Sequence, residues 1–290
     1  MRISLIRRLS ITAVALISTA GCSAYYEYQA EDMVQRQMEA MVFVEGGEFM
    51  MGNPGGWSVR SDTSPRHKVI LDDFHIQKYE VTQADFELFQ SVTGYEHSYP
   101  HYYKHRNKRP ERYESELPAV ASWTDATAFC RWLGDQSGEP VTLPTEAQWE
   151  YAARARGKMI RYATENGKAQ EEITMAAGPT PHARDGRPYD EMLPKAPGTF
   201  PPNPIGLYDM SGNVAEWVSD YYGEDYYKDS PVNNPKGPQT AVTASLGGYT
   251  DNVRVLRGGT YRDFIGNTTV TRRRGVQNIS REMYGFRCAY

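Results

Sequence analysis

The segment LYDMSGNVAEW, residues 207–217, contains a short turn with a glycine and carries one acidic side chain before the turn and one after it. Asp209 and Glu216 bracket this turn, and the main-chain carbonyl groups between them are free to point inward. Two carboxylates and main-chain oxygens in a short non-helical loop suit Ca²⁺, which prefers oxygen ligands. The same residues also suit an ordinary solvated loop. The spacing alone leaves both interpretations open.

The first 21 residues have the features of an export signal. Arg2, Arg7 and Arg8 precede the apolar run LSITAVALISTAG, which is too short to remain as a membrane-spanning helix. Cys22 follows small residues in STAGC, as expected at the processing site of a bacterial lipoprotein. We therefore predict lipidation of Cys22. The alternative is an ordinary cleaved signal followed by an incidental cysteine.

This signal divides the chain into three parts. We predict a signal peptide at 1–21, a lipid-anchored tether with a short helix at 22–40, and one loop-rich domain at 41–290. In a Gram-negative cell, Ser23 after the lipidated cysteine favours the outer membrane. The expected location is therefore the periplasmic face of the outer membrane, which the protein contacts through its lipid anchor.

Charge and cysteine content narrow the function further. The formal net charge is −4, and removal of a signal with three arginines and no acidic residue changes it to −7. A chain with this charge is not expected to bind nucleic acid. Cys130 and Cys288 are the cysteines left in an oxidising compartment, where such a pair most often forms a disulfide.

Alternating apolar residues predict β-strands near both ends of the domain. The pattern around Gly46-Gly47 predicts one β-hairpin, and a second strand pair is predicted around Asp72-Asp73. The last forty residues return to the same alternation. Residues 159–202 are polar and rich in proline, so we predict long surface loops there.

Three helices are predicted from apolar periodicity and capping residues. They lie within residues 82–94, 122–138 and 145–157, and Gly94 and Gly157 end the first and the third. Thr145 and Gln148 form a capping box at the start of the third helix.

Three histidines in HSYPHYYKH offer a possible metal site. His97, His101 and His105 are spaced four residues apart, so on one helix they would share a face and bind a transition metal. Pro100 argues against a continuous helix through all three. The alternative is an aromatic, polar loop without a metal.

The C-terminal part of the chain is strongly basic. Eight arginines lie within residues 254–290, against Asp263 and Glu282. One interpretation is a positive groove for an acidic ligand. The other is that several of these arginines are internal and bind loop carbonyls and carboxylates, which a loop-rich fold needs.

Seven sequence blocks between residues 41 and 290 resemble, in the same order, the formylglycine-generating enzyme (sulfatase-modifying factor) superfamily. The blocks are VEGGEFMMG, YEVTQADFELF, LPAVASWTDATAFCRWL, LPTEAQWEYAARA, NPIGLYDMSGNVAEWVSDYY, VLRGGTY and GFRCAY. The resemblance implies one irregular α/β domain with little regular secondary structure, related to C-type lectin folds.

The same resemblance assigns roles to residues of the opening segment. It places the ligands of one family calcium site at the side chains of Asp209 and Glu216 and at the carbonyls of Gly212 and Val214. A structural Ca²⁺ is therefore expected at this loop.

The resemblance also marks a departure from the family's chemistry. The resemblance pairs Cys130 with Cys288 in a disulfide. Family enzymes carry two further cysteines, and these bind copper. At those positions this chain has Asp263 and Thr268, and Ala215 replaces the tryptophan that walls the family's active groove. Asp and Thr cannot supply soft sulfur ligands. Copper and formylglycine generation are therefore not expected.

The hypothesis is a lipoprotein without catalytic residues that binds a cell-envelope protein through the reshaped groove. TagR-type regulators of type VI secretion, which act upstream of a threonine kinase pathway, are the analogue that the resemblance suggests. One alternative is an oxidoreductase of the superfamily with altered metal chemistry, and another is a lectin-like lipoprotein that displays a ligand-binding surface. The candidate groove residues are Ala215, Arg257, Thr260, Tyr261, Arg262, Asp263, Asn267 and Thr268.

Overall fold

The described part of the chain combines short helices and small sheets with long irregular connections. The computed structural model describes residues 25–57, 61–169, 192–242 and 252–290. Eight strands and six α-helices lie within these ranges. This architecture confirms the predicted irregular α/β class.

The first four strands form one long antiparallel ribbon that is two strands wide. Neither of the two predicted hairpins occurs in it. Strand β1 (Met41–Val44) pairs with β4 (Phe74–Gln77), and β2 (Gly47–Met51) pairs with β3 (His67–Leu71), both antiparallel. The strands lie where they were predicted. Consecutive strands β1 and β2, or β3 and β4, do not pair, so both predicted hairpins are wrong in their pairing.

The residues that were predicted as hairpin turns face each other across a bend in this ribbon. The register continues unchanged from one half of the ribbon to the other. The Gly46 N–H donates to Asp73 Oδ1 at 2.7 Å, and a Cβ atom on Gly46 would lie 2.3 Å from the Leu71 carbonyl oxygen. Close approach of two backbones therefore requires glycine here.

Residues 25–39 form helix α1, which packs on the domain. Met33 on its inner face is fully buried, and Gln37 Nε2 donates to Asp85 Oδ2 at 2.7 Å. A helix is present within the predicted tether, as expected, but it is held against the body of the protein. The packed unit therefore begins before the predicted boundary at Met41.

Five further helices follow along the chain, and three of them confirm the predicted helices. The capping box of Thr145 and Gln148 opens α5. This helix ends before the predicted end at Gly157, because Ala155 and Arg156 already adopt positive φ. The helices are α2 (Gln83–Thr93), α3 (Tyr102–Lys108), α4 (Trp123–Ser137), α5 (Glu146–Ala153) and α6 (Tyr226–Asp229).

The last four strands form the largest sheet. They are β5 (Ala215–Tyr221), β6 (Val253–Arg257), β7 (Arg273–Gln277) and β8 (Tyr284–Phe286), in the order β7-β6-β5-β8. Strand β5 lies between antiparallel β6 and parallel β8. The segment 207–217 therefore leads directly into the interior of this sheet.

A disulfide joins helix α4 to the chain after β8. It links Cys130 and Cys288, which confirms the predicted pair. Both residues are fully buried within a hydrophobic cluster that also contains Phe129, Trp217 and Phe286. The disulfide therefore fixes the C-terminal residues against helix α4.

Residues 159–169 and 192–202 contain no helix or strand, in agreement with the predicted loops. The intervening residues 170–191 lie outside the described ranges, as do the predicted signal and Cys22. Among the described helices, none has the length and apolar character needed to cross a membrane.

Candidate functional site

The segment 207–217 turns through left-handed backbone conformations before it enters β5. Asp209 and Asn213 have φ values of 59° and 54°, and Gly212 has a φ of 97°. Aspartate, asparagine and glycine are the residues that tolerate this conformation best. Residues 209–217 are all buried. The alternative of an ordinary solvated loop is therefore wrong.

Glu216 is bound on both carboxylate oxygens by buried donors. Arg287 Nε donates to Oε2 at 2.7 Å, and Arg287 Nη2 donates to Oε1 at 2.7 Å. Trp149 Nε1 also donates to Oε2, at 2.8 Å. The same guanidinium donates to the carbonyls of Gln77 and Tyr208. Arg287 therefore ties the turn to both the ribbon and the sheet through charge-assisted hydrogen bonds.

Two further acidic groups lie near this ion pair. Asn213 Nδ2 donates to Glu80 Oε2 at 2.6 Å, and the Gly198 N–H donates to Asp209 Oδ2 at 2.7 Å. Burial raises the pKa of Glu80 well above its ordinary value, and the charges of Asp209 and Glu216 add to the rise. Burial also raises the pKa of Asp209 to about 6. Three buried acidic groups thus share one buried arginine.

The arrangement of these residues suits the expected calcium site only in part. The surplus of acidic groups favours a divalent cation, but a cation would compete with Arg287 for both oxygens of Glu216. Within the described ranges, no three His, Cys, Asp or Glu side chains are arranged to hold a metal ion. A Ca²⁺ ion here would depend on Asp209 and on the carbonyls of Gly212 and Val214, and it stays a prediction.

We expect a chelator to lower the melting temperature of the protein if calcium occupies this loop. At a free calcium concentration a hundredfold above Kd, binding stabilises the fold by about 2.7 kcal/mol, or roughly 5–11 °C. Asp209→Ala should abolish the response, whereas Asp209→Asn keeps a side-chain oxygen and should retain part of it. Melting curves recorded with and without chelator measure the effect.

Asp220→Asn is the matched control, because burial raises the pKa of this aspartate too, to about 7, outside the turn. It should leave the response to chelator intact. Identical melting of the wild-type protein in calcium and in chelator would exclude the site.

Most of the candidate groove residues cannot contact a ligand in this structure. The buried ones are Ala215, Arg257, Thr260, Tyr261 and Thr268. Their assignment as direct groove contacts is therefore corrected.

Three groove candidates keep partial exposure. They are Arg262, Asp263 and Asn267, which lie between Tyr261 and Thr268 in the loop after β6. Arg262 donates to Glu282 at 3.1 Å, and both side chains of this ion pair are less than one-fifth exposed. The accessible part of the groove is therefore a rim that consists of two paired charges, Arg262 and Asp263, and the amide of Asn267.

The two positions that carry thiols in family enzymes are held by oxygen hydrogen bonds. Asp263 Oδ2 accepts from the N–H and hydroxyl of Thr260 at 3.0 and 2.9 Å, and Asp263 Oδ1 accepts from Arg274 at 2.5 Å. The Thr268 hydroxyl donates to the Ile265 carbonyl at 2.9 Å. The cysteines of the described ranges are both consumed by the disulfide. These residues offer no thiolate for copper.

Several C-terminal arginines are internal, as one of the two interpretations predicted. Arg257 donates to Glu146 at 2.9 Å and to Glu150 at 2.6 Å, and Arg273 Nε donates to Glu146 at 2.7 Å. All four side chains are almost completely buried. Sequence reasoning missed Glu146 and Glu150, although their i,i+4 spacing on α5 marks a shared acidic face. Arg257, Arg273 and Arg287 therefore cannot line a positive groove.

The three histidines do not form one metal site. His97 is buried, stacks on Tyr102 with ring centroids 3.8 Å apart, and places Nδ1 3.2 Å from Asp125 Oδ2. Burial lowers its pKa. His101 and His105 lie at α3, with ring centroids 6.5 Å apart. The interpretation as three histidines on one helical face is wrong, since α3 begins only after His101.

The fold and the site together define the class of protein. The irregular α/β domain buries the acidic turn at residues 209–214, which leads into strand β5, and a disulfide joins α4 to the chain after β8. Residues 27–290 match the family described as "Sulfatase-modifying factor enzyme 1-like domain". The chain belongs to this family, as the sequence resemblance predicted.

Two proteins to which this chain is similar are named as different kinds of enzyme. The chain is 33% identical over 302 residues to the formylglycine-generating enzyme of Streptomyces coelicolor, covering 88% of this chain and 90% of that protein. It is 31% identical over 290 residues to the serine/threonine-protein kinase pkn1 of Chlamydia pneumoniae. That match covers 94% of this chain but 42% of the kinase, so the chain spans less than half of that relative.

A solved structure supports the fold. PvdO from Pseudomonas aeruginosa superimposes with a TM-score of 0.65 at 25% sequence identity, covering 86% of this chain and 93% of PvdO.

Proposed function

We propose that this protein is an exported lipoprotein that binds another cell-envelope protein and does not generate formylglycine. The carrying observation is the pair Asp263 and Thr268, which stands where family enzymes hold copper. Asp263 is engaged by Thr260 and Arg274, and Thr268 is buried. A carboxylate in an ion pair and a buried hydroxyl do not activate oxygen on copper. The groove is then left with a binding role.

The proposed partner is a component of a serine/threonine kinase pathway in the envelope. The chain is similar to proteins named as serine/threonine kinases, and the match spans 42% of the Chlamydia pneumoniae relative. This similarity supports a partner from such a pathway. The proposal includes a role like that of TagR-type regulators of type VI secretion.

An oxidoreductase with altered metal chemistry is the weaker candidate. The three histidines are the candidate metal ligands for such an enzyme, and His97 faces the core against Tyr102 and Asp125. A lectin-like display role has no supporting contact among the described groove residues. The binding proposal is therefore argued alone.

We expect cross-linking in intact envelopes to recover a specific protein partner with the wild-type chain. Replacement of Arg262 and Asn267 by alanine should reduce that recovery by about tenfold, because two accessible contacts that together contribute about 1.4 kcal/mol change the affinity by that factor. Quantitative mass spectrometry of the cross-linked material measures the change.

Lys228→Ala is the matched control, since Lys228 is an exposed cation on α6, outside the groove. It should leave recovery unchanged. Recovery that is equal for the wild type and the groove variant, or no protein above an untagged sample, would contradict the proposed binding role. Copper-dependent oxidation of a cysteine peptide by the purified chain would contradict the absence of catalysis.

A further inference from the structure

The first turn of α1 exposes a cluster of aromatic rings. Tyr25, Tyr26 and Tyr28 have exposed fractions of 59%, 44% and 69%. In contrast, the inner face of the same helix buries Ala30 and Met33. The side chains of Phe43 and Tyr103 are also exposed, but each lies alone on its own element. Three neighbouring exposed aromatic rings on a protein surface indicate contact with a membrane or with another molecule.

The chain fixes where this cluster lies relative to the expected lipid. Tyr25 follows Cys22 by three residues, and three residues span at most about 11 Å when extended. Lipid attached at Cys22 would therefore hold the Cα atom of Tyr25 within about that distance of the attachment point, with Tyr26 and Tyr28 in the same helical turn. This step rests on the lipid anchor of the proposed function.

Helix α1 cannot swing away from the domain without breaking specific contacts. Met33 is fully buried, Gln37 donates to Asp85 at 2.7 Å, and Gln77 donates to Gln37 at 2.6 Å. Arg36 adds a further contact to Asp85 at 3.4 Å. The tyrosines are therefore presented by a rigid part of the protein.

The surroundings of the tyrosines suit lipid headgroups better than an apolar protein helix. A cleft of about 590 Å³ behind Tyr26 and Tyr28 is lined mainly by polar and charged side chains, including Asp32, Asp85 and Glu87. The apolar part of its lining comes from Ala84, Leu88 and the two tyrosine rings, so an apolar protein helix would find few aliphatic side chains there. Tyrosine rings combine an apolar body with a polar hydroxyl and are enriched at membrane–water interfaces for that reason.

We propose that Tyr25, Tyr26 and Tyr28 insert into the headgroup region of the bilayer that carries the lipid anchor. They form a second, non-covalent membrane contact beside the acylated Cys22. Because α1 is packed on the domain, this contact sets the orientation of the whole protein on the membrane. The loop after β6, which carries the accessible groove residues, then has a fixed orientation toward a partner.

Hydroxyl-radical footprinting tests the inserted rings directly. The lipidated protein in phosphatidylcholine vesicles is compared with the mature chain carrying Cys22→Ser in solution. We expect oxidation of the three tyrosines to slow by at least about fivefold on vesicles, because the rings leave water. Phe43 and Tyr103 serve as internal controls and should be oxidised equally in both samples.

The outcomes separate this inference from the lipid anchor on which it rests. Palmitate incorporation at Cys22 with equal tyrosine oxidation in both samples would overturn the membrane contact and leave the anchor standing. Absence of palmitate from the wild-type chain would instead refute the anchor.

A photo-reactive side chain at position 28 provides the second measurement. It should form adducts with phospholipid in cells, whereas the same group at position 103 should not. A protein adduct at position 28 in place of lipid would overturn the inference, because the cluster would then be a protein-binding surface.

Discussion

Replacement of Arg287 by alanine is expected to lower the free energy of unfolding by at least about 3–5 kcal/mol, because a buried ion pair loses one partner. Arg287 is fully buried and donates to both oxygens of Glu216. Without it, Glu216, Glu80 and Asp209 share a buried region with no compensating charge. Since small domains are stable by about 5–15 kcal/mol, much of the folded population would be lost. Urea denaturation measures the change.

The pH dependence of the variant provides a second readout. The pKa of Asp209 is already raised to about 6 in the native protein, and removal of the arginine raises it further. The folded state then binds more protons than the unfolded state at mildly acidic pH. The contribution of Asp209 to the stability of the variant should therefore be most favourable below the ordinary aspartate pKa and decline as the pH rises through 6.

Arg281→Ala is the matched control for this experiment. Arg281 is exposed in the same C-terminal segment, and its removal should cost less than about 0.5 kcal/mol. A loss below 1 kcal/mol for Arg287→Ala, or a loss that grows as the pH falls from 7 to 5, would contradict this account of the buried acidic turn.

Removal of the Cys130–Cys288 disulfide is the second change with a large expected effect. The two cysteines are 158 residues apart, and closing a loop of that length restricts the unfolded chain by about 5 kcal/mol. The double variant Cys130→Ala with Cys288→Ala should lose a free energy of this order. Urea denaturation of both proteins, with and without a thiol reductant, measures it.

Reductant is the internal control for the disulfide. It should destabilise the wild-type chain and leave the double variant unchanged. Equal midpoints for the oxidised wild type and the double variant would show that the disulfide does not contribute to stability.

Local sequence signals predicted the helices well because their causes are local. Thr145 and Gln148 cap α5 through contacts within one turn, and Gly94 ends α2 in a left-handed conformation. The hairpins failed for the opposite reason. Gly46-Gly47 carries a turn signal, yet the conformation there is decided by contact with Leu71 across the ribbon. A residue pair alone does not contain that distant partner.

The candidate site was predicted to a similar extent. Asp209 and Glu216 were identified from one short segment, and both belong to the buried acidic turn. Their partners were not identified, because Arg287 lies 71 residues from Glu216, and Glu80 lies 133 residues from the asparagine that binds it. Spacing shows that a segment carries charge, but only the folded chain shows which charges compensate it.

The disulfide also determines how the domain would respond to mechanical force. A pull applied at the N-terminus and resisted at the C-terminus passes through α1, the ribbon, α2, α3 and the first half of α4, and then crosses from Cys130 to Cys288 through the sulfur bridge. The chain between these cysteines, which includes the acidic turn and the loop after β6, lies outside this load path. Force could stretch the first 130 residues while the groove segment stayed covalently closed. The membrane end of the molecule would yield first, and the segment proposed to bind a partner would carry no tension along its own backbone.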